Sequence, residues 1–185
     1  MKLLINSFWN LILLTKQVSH KKEENIMLML IAATTVRNLL LNALVGRNSS
    51  TNLSVFNGYS YLALSSTKPT YTSSGDITGI TEPPTGQGYK RKLIGHSSEA
   101  STLMFGSASN GKITNVQEIH FDQAKPAGES GTGWGSPLKY FAIYNVQSGG
   151  SPIVAGELSK EITVGAGYVV ILKAGDVTFE MNTAG

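Results

Sequence analysis

The run Leu138-Lys-Tyr-Phe-Ala-Ile-Tyr-Asn-Val146 alternates. Leu138, Tyr140, Ala142, Tyr144 and Val146 are apolar or aromatic, and Lys139 and Asn145 fall between them. Successive side chains of an extended chain point to opposite faces, so a period of two predicts a β-strand that sorts its residues between two sheet faces. Tyr140, Phe141 and Tyr144 straddle both faces. If both are buried, one packs in the core and the other against a neighbour.

The same signature repeats outward from this strand. In Tyr59-Ser-Tyr-Leu-Ala-Leu-Ser-Ser66, Tyr59, Tyr61, Ala63 and Ser65 share one face, with Leu62 and Leu64 on the other. Asn110-Gly111 is a hairpin signal, because a type I′ turn needs positive φ at both positions. It joins predicted strands 103–109 and 112–115. Further strands are expected at 89–95, 116–121, 153–158, 161–164, 168–173 and 177–181. Two loops stand out: 67–88, rich in Gly, Pro, Thr and Ser, and the glycine-rich 126–137, which contains Trp134. Loops this long are usually functional or mobile. Eight or nine short strands with turn signals between them predict a mainly β fold. The expected form is an antiparallel two-sheet β-sandwich, jelly-roll-like, over 53–185.

A single helix precedes it, at 31–46. Ala32, Val36, Leu39, Leu40, Ala43 and Leu44 follow the spacing of one apolar helical face, with Arg37, Asn38 and Asn42 on the other side and Gly46 as the stop. Packing against the sheet or a neighbouring subunit is expected. A membrane anchor would carry Arg37 and two asparagines through lipid.

Residues 1–30 form an N-terminal extension, whose first fifteen residues are strongly apolar. They lack a small-residue cleavage site and are too short to span a bilayer. Lys21-Lys22-Glu23-Glu24 is encoded by purine-rich codons that resemble a bacterial ribosome-binding site upstream of Met27. The expectation is that translation starts at Met27 or Met29. An N-terminal peptide containing Phe8 or Trp9 would end that idea.

At 185 residues the chain fits one domain plus an appendage. Its charged fraction, 15%, is below the typical value of about 25%. The net charge of +3 comes largely from the extension; beyond residue 26, eleven basic residues face ten acidic ones. Lys90-Arg91-Lys92 is the basic cluster of the body, with Lys90 and Lys92 on one strand face and Arg91 on the other. It reads as a solvated strand edge that blocks unwanted pairing, so no nucleic-acid partner is expected. The absence of cysteine excludes disulfides, thiolate zinc sites and thiol nucleophiles.

Catalytic equipment is sparse. His20, His96 and His120 show no ligand spacing; His120 shares a strand face with Glu118, which reads as a polar neighbour pair. No serine sits in a G-x-S-x-G elbow. Asp76 with Glu82, or Asp122 with Glu129, are the candidate carboxylate pairs, marked only by loop composition. The phosphate-loop pattern is absent. No enzyme activity, metal or cofactor is expected.

Tyr61-Leu-Ala-Leu-Ser-Ser-Thr-Lys-Pro69 resembles a strand-and-turn signature of tailed-bacteriophage minor structural proteins, of the tail-fibre or minor tail type. The resemblance continues through Glu82-Pro-Pro-Thr-Gly-Gln-Gly-Tyr-Lys-Arg91, Gly111-Lys-Ile-Thr-Asn115 and Ile119-His-Phe121 with Ala124. It ends through Trp134-Gly135, Phe141-Ala-Ile-Tyr144, Gly149-Gly150, Ala155-Gly-Glu-Leu158 and Ala174-Gly-Asp176, covering about 31–181. The resemblance implies a non-enzymatic virion subunit of fibre, collar or decoration type, a homotrimer that also docks on other head or tail proteins. An alternative is a module that binds host-surface carbohydrate through loop 67–88 and Trp134; Trp134 also reads as a core anchor or an interface plug. The interface candidates are Val36, Leu40 and Leu44 of the helix, together with Trp134, Tyr140, Phe141 and Tyr144.

Overall fold

The computed structural model describes residues 37–47 and 58–180, all within one compact unit, Arg37–Gly185. The extension 1–30, its start site and Val36 lie outside them. Among the described residues the chain is mainly β, with one helix, α1 (37–44), and several antiparallel sheets.

The largest sheet joins β1 (Tyr59–Ser65), β4 (Lys92–His96), β7 (Leu138–Tyr144) and β8 (Val154–Ile162) in the order β4-β1-β7-β8. Its centre is the pairing of the two predicted alternating strands: Tyr61 faces Tyr144, Leu62 faces Ile143, Ala63 faces Ala142 and Leu64 faces Phe141. The alternation therefore sorts both strands consistently. Leu62, Leu64 and Ile143 enter the main core, with Phe141 packed against it. Ala63, Ala142 and Tyr144 bury a second cluster on the opposite face, packed by Tyr61, Ile80 and Ala155. At the β1–β7 pair both faces are thus covered by the chain itself, and Ile80 of loop 67–88 packs on the second.

Leu138 departs from the parity of its strand. The β7–β8 register shifts between Leu138 and Tyr140, and Leu138 lies in the main core although an unbroken alternation would put it with Tyr140 and Ala142. Across that shift β8 takes five steps, Glu157 to Ile162, against two in β7, a bulge that bends and twists the pair locally. The predicted strands 153–158 and 161–164 are correspondingly one element, β8.

Three two-stranded sheets complete the set. β5 (Lys112–Thr114) pairs with β10 (Thr178–Glu180), β6 (Ile119–His120) with β9 (Ile171–Leu172), and β2 (Thr70–Tyr71) with β3 (Ile77–Thr78). The last is a hairpin inside loop 67–88, a segment for which the sequence predicts no strand. Paired Thr70 and Thr78 hydroxyls, 2.9 Å apart, hold it. The Asn110-Gly111 turn forms, but 103–109 is not a regular strand. It meets the following segment only at single bridges, Phe105 to Asn115 and Ser109 to Lys112. Met104 is used crosswise: its N–H donates to Ile94 O and its carbonyl accepts from Val116 and Gln117.

The main core gathers Phe105, Ile113, Ile119, Phe121 and Phe179 from the small sheets and their loops onto the large one, with Leu41, Leu44 and Val45 from the helix. Each fully buried aliphatic or Phe side chain contributes about 1.5–3 kcal/mol. The helical face is a correction to the sequence reading. Leu41, Leu44 and Val45 are buried, whereas Leu39 is 49% exposed and Leu40 is half-buried. Three consecutive leucines leave the helical phase open, and the asparagines settle it. Asn38 and Asn42, one turn apart, turn inward and accept hydrogen bonds from Gly111 N–H and Ala108 N–H. The helix stops as predicted: Gly46 has φ +75, its N–H donates to Ala43 O, and Arg47 N–H donates to Asn42 O. That pair of bonds is the Schellman closure.

Candidate functional site

The segment Glu82–Arg91 is the best-connected part of the surface loops. After Pro83-Pro84, a 3₁₀ turn over Thr85–Gln87 ends at Gly88, φ +84. A Cβ at Gly88 would stand 2.6 Å from Gln123 O, so close approach and left-handed backbone both require glycine. The turn sends Tyr89 inward and leaves Gln87 between the two long loops. Gln87 O accepts from Lys125 N–H, and its side-chain oxygen accepts from Thr132 N–H at 2.8 Å.

Tyr89 is fully buried. Its hydroxyl accepts from Leu64 N–H at 2.9 Å, and its ring meets Trp134 edge-on at 5.2 Å and stacks on Phe121 at 6.4 Å. Burial, with the Glu82 carboxylate beside it, pushes the phenol far above its ordinary range. Trp134 is 2% exposed. Its backbone N–H donates to Val164 O, while its indole N–H has no partner among the described residues. It is a core anchor, without a free face for a sugar ring or a second copy.

Arg91 points away from Lys90, as the alternation predicts, and is consumed. Nε lies 3.1 Å from both Glu82 oxygens and Nη2 lies 2.7 Å from Oε1. Nη1 donates to Val146 O at 3.0 Å and Gly149 O at 2.7 Å. The guanidinium stacks 3.4 Å over the Tyr144 ring, the planar use to which arginine is suited and lysine is not. An open depression of about 500 Å³ runs beside it, lined by Pro83, Thr85, Lys90, Gln147 and Ser148 among others. Its one buried charge pair is already satisfied, and Lys90 faces Asp122 at 3.8 Å in solvent.

A second node joins two further signature segments. Asn115 is fully buried. Its amide NH₂ donates to Gln117 O and Lys173 O, and its side-chain oxygen accepts from Val177 N–H. Its backbone carbonyl accepts from Gly175 N–H, and Asp176 closes the same turn by accepting from Lys173 N–H at 2.7 Å. One side chain therefore ties Gly111–Asn115 to Ala174–Asp176.

The candidate acids and histidines do not converge. Glu82 is held by Arg91, Asp76 accepts from Ser74 inside the β2–β3 turn, and Asp122 faces Lys90. His120 and Glu118 form an exposed pair at 2.9 Å. His96 stacks on Tyr59 at 3.9 Å and faces Glu99 at 3.4 Å. Among the described residues no three potential metal ligands gather.

Of the interface candidates, Leu44, Trp134 and Tyr144 are buried within the chain. Phe141 lies against the core near Phe179. Leu40 and Tyr140 are half-buried. The sequence reading missed the side chains that do reach outward: Tyr71, Val116, Tyr168, Val169 and Ile171, with Tyr168 the most exposed at 69%. Val169 and Ile171 flank Val170, which is buried; the alternation was readable, but not which of its faces met solvent.

The fold and these nodes define a β-framework protein whose signature residues knit its loops together. Over residues 32–180 the chain matches the model of a family described as Podophage GP4 fiber I protein gp80. It belongs to that tailed-phage, fibre-type structural family. No curated protein matches it.

Proposed function

We propose that this chain is a structural subunit of a phage virion, a fibre, collar or decoration element on tail or head, built as a jelly-roll-like β-sandwich and working as a homotrimer docked on other virion proteins. The family match over 32–180 carries this reading. The surface supports it: Leu39 and Leu40 on α1, and Tyr168, Val169 and Ile171 on the β9 segment, offer apolar area of the kind subunit contacts bury. Val36 extends the helical stripe in sequence. Mass spectrometry of purified particles should find the chain, and light scattering on the isolated protein should give three times the chain mass. Absence from particles would sink the virion role, and a stable monomer would sink the trimer.

A second reading, binding of host-surface carbohydrate, is favoured by Tyr71. Its ring is well exposed on loop 67–88, while its hydroxyl reaches Ala155 O at 3.3 Å. Trp134 has no part in it. A glycan array should show a signal that Tyr71→Ala removes; a blank array would discard this reading and leave the structural one intact.

A further inference from the structure

The Asn110-Gly111 turn carries a chemical liability and, beside it, a guard. Asn110 has φ +52 and Gly111 φ +75, and Ser109 and Lys112 exchange two backbone hydrogen bonds of 2.9 Å across them. Asn110 itself is exposed. In an Asn-Gly step the glycine nitrogen can attack the asparagine side-chain carbonyl carbon, because no side chain on the glycine obstructs the approach. A bond forms from Gly111 N to Asn110 Cγ, the Cγ–Nδ2 bond breaks, and the backbone proton leaves with the side-chain nitrogen as ammonia. One water then opens the succinimide. Cleavage at one carbonyl gives aspartate; cleavage at the other gives isoaspartate, with the main chain rerouted through the side chain. Water is the sole co-reactant.

The attack requires Gly111 N to give up its proton. In this structure that N–H is donated to Asn38 Oδ1 at 2.8 Å. The bond comes from a residue far away in sequence and is not part of the turn. We propose that Asn110 is a site of spontaneous deamidation that Asn38 holds latent by occupying the Gly111 N–H. Conversion places a negative charge at the turn, and the isoaspartate form lengthens the backbone between Ser109 and Lys112. That would break the pair of bonds from which β5 starts.

The test is peptide mapping of the intact chain during incubation in mildly alkaline buffer. Isoaspartate is read at Asn110, in the tryptic peptide between Lys92 and Lys112, apart from the second Asn-Gly step at 57–58. Asn38→Ala should accumulate it several-fold faster than wild type. Asn38→Asp keeps the acceptor oxygen and should stay at the wild-type rate. Equal rates in wild type and Asn38→Ala overturn the proposal, and so does an Asn38→Asp rate as high as that of Asn38→Ala. If Asn38→Ala does not fold, hydrogen exchange on the wild type decides: Gly111 N–H should be protected, and exchange at the rate of an open peptide overturns the guard.

Discussion

Arg91 and Tyr89 sit two residues apart, both beside the Glu82 carboxylate, and each is fixed by groups distant in sequence. For Arg91 these are the Glu82 carboxylate, the Val146 and Gly149 carbonyls and the Tyr144 ring. Lysine could keep the charge but not the fork or the stack. Arg91→Lys should therefore cost about 2 kcal/mol, read as a lowered urea midpoint, and Arg91→Ala about 3 kcal/mol or more, because it strands Glu82. An unchanged midpoint in Arg91→Ala would show that the clamp contributes nothing. Tyr89 gives a pH signature. Burial raises its phenol above the ordinary value of 10.0, so the unfolded chain loses that proton first as pH rises. Its contribution is fully present below pH 10 and is lost above it. Tyr89→Phe should cost about 1–3 kcal/mol at neutral pH, since Leu64 N–H loses its acceptor. It should also flatten the decline in stability above pH 10. Burial raises Tyr61 and Tyr144 as well, so some decline remains. Parallel curves for the two proteins would refute the assignment.

At the scale of elements, helix α1 docks by close backbone approach. A Cβ on Gly95 would stand 1.9 Å from Val45 O, so β4 must present a bare Cα to the end of the helix. Gly95→Ala should destabilise by about 1–3 kcal/mol through forced displacement, and it should loosen α1 first. Amide exchange would then rise in 37–47 more than in β7. Gly75→Ala is the control. Unlike Gly95 it has positive φ, but it has open space around it, so it should cost only about 1 kcal/mol of backbone strain. If both variants lose the same stability, the close approach carries no weight.

For the whole molecule, both faces of the β1–β7 pair are covered from within, while β8 is half-buried to exposed and the segment before β9 carries open apolar area. Ile171 is 45% exposed beside Val169 and Tyr168. For the proposed homotrimer, Ile171→Lys should shift light scattering towards monomer while leaving the thermal melt of the subunit nearly unchanged, because it is a surface substitution. A variant that assembles like wild type would move the interface elsewhere, with Leu39 and Leu40 of α1 the next surface to alter.

The sequence alone determined the strand class, the phase of β1 and most of β7, the stop at Gly46 and the turn at Asn110-Gly111, because each follows from periodicity or from backbone constraints of one or two residues. Tertiary structure alone decided that Leu138 crosses to the core at a bulge, that Leu41 rather than Leu39 faces inward, and that Trp134, Arg91 and Asn115 hold loops together. These outcomes depend on which distant carbonyls, carboxylates and rings arrive beside a residue. A local pattern of apolar and polar positions does not encode the identity of those neighbours.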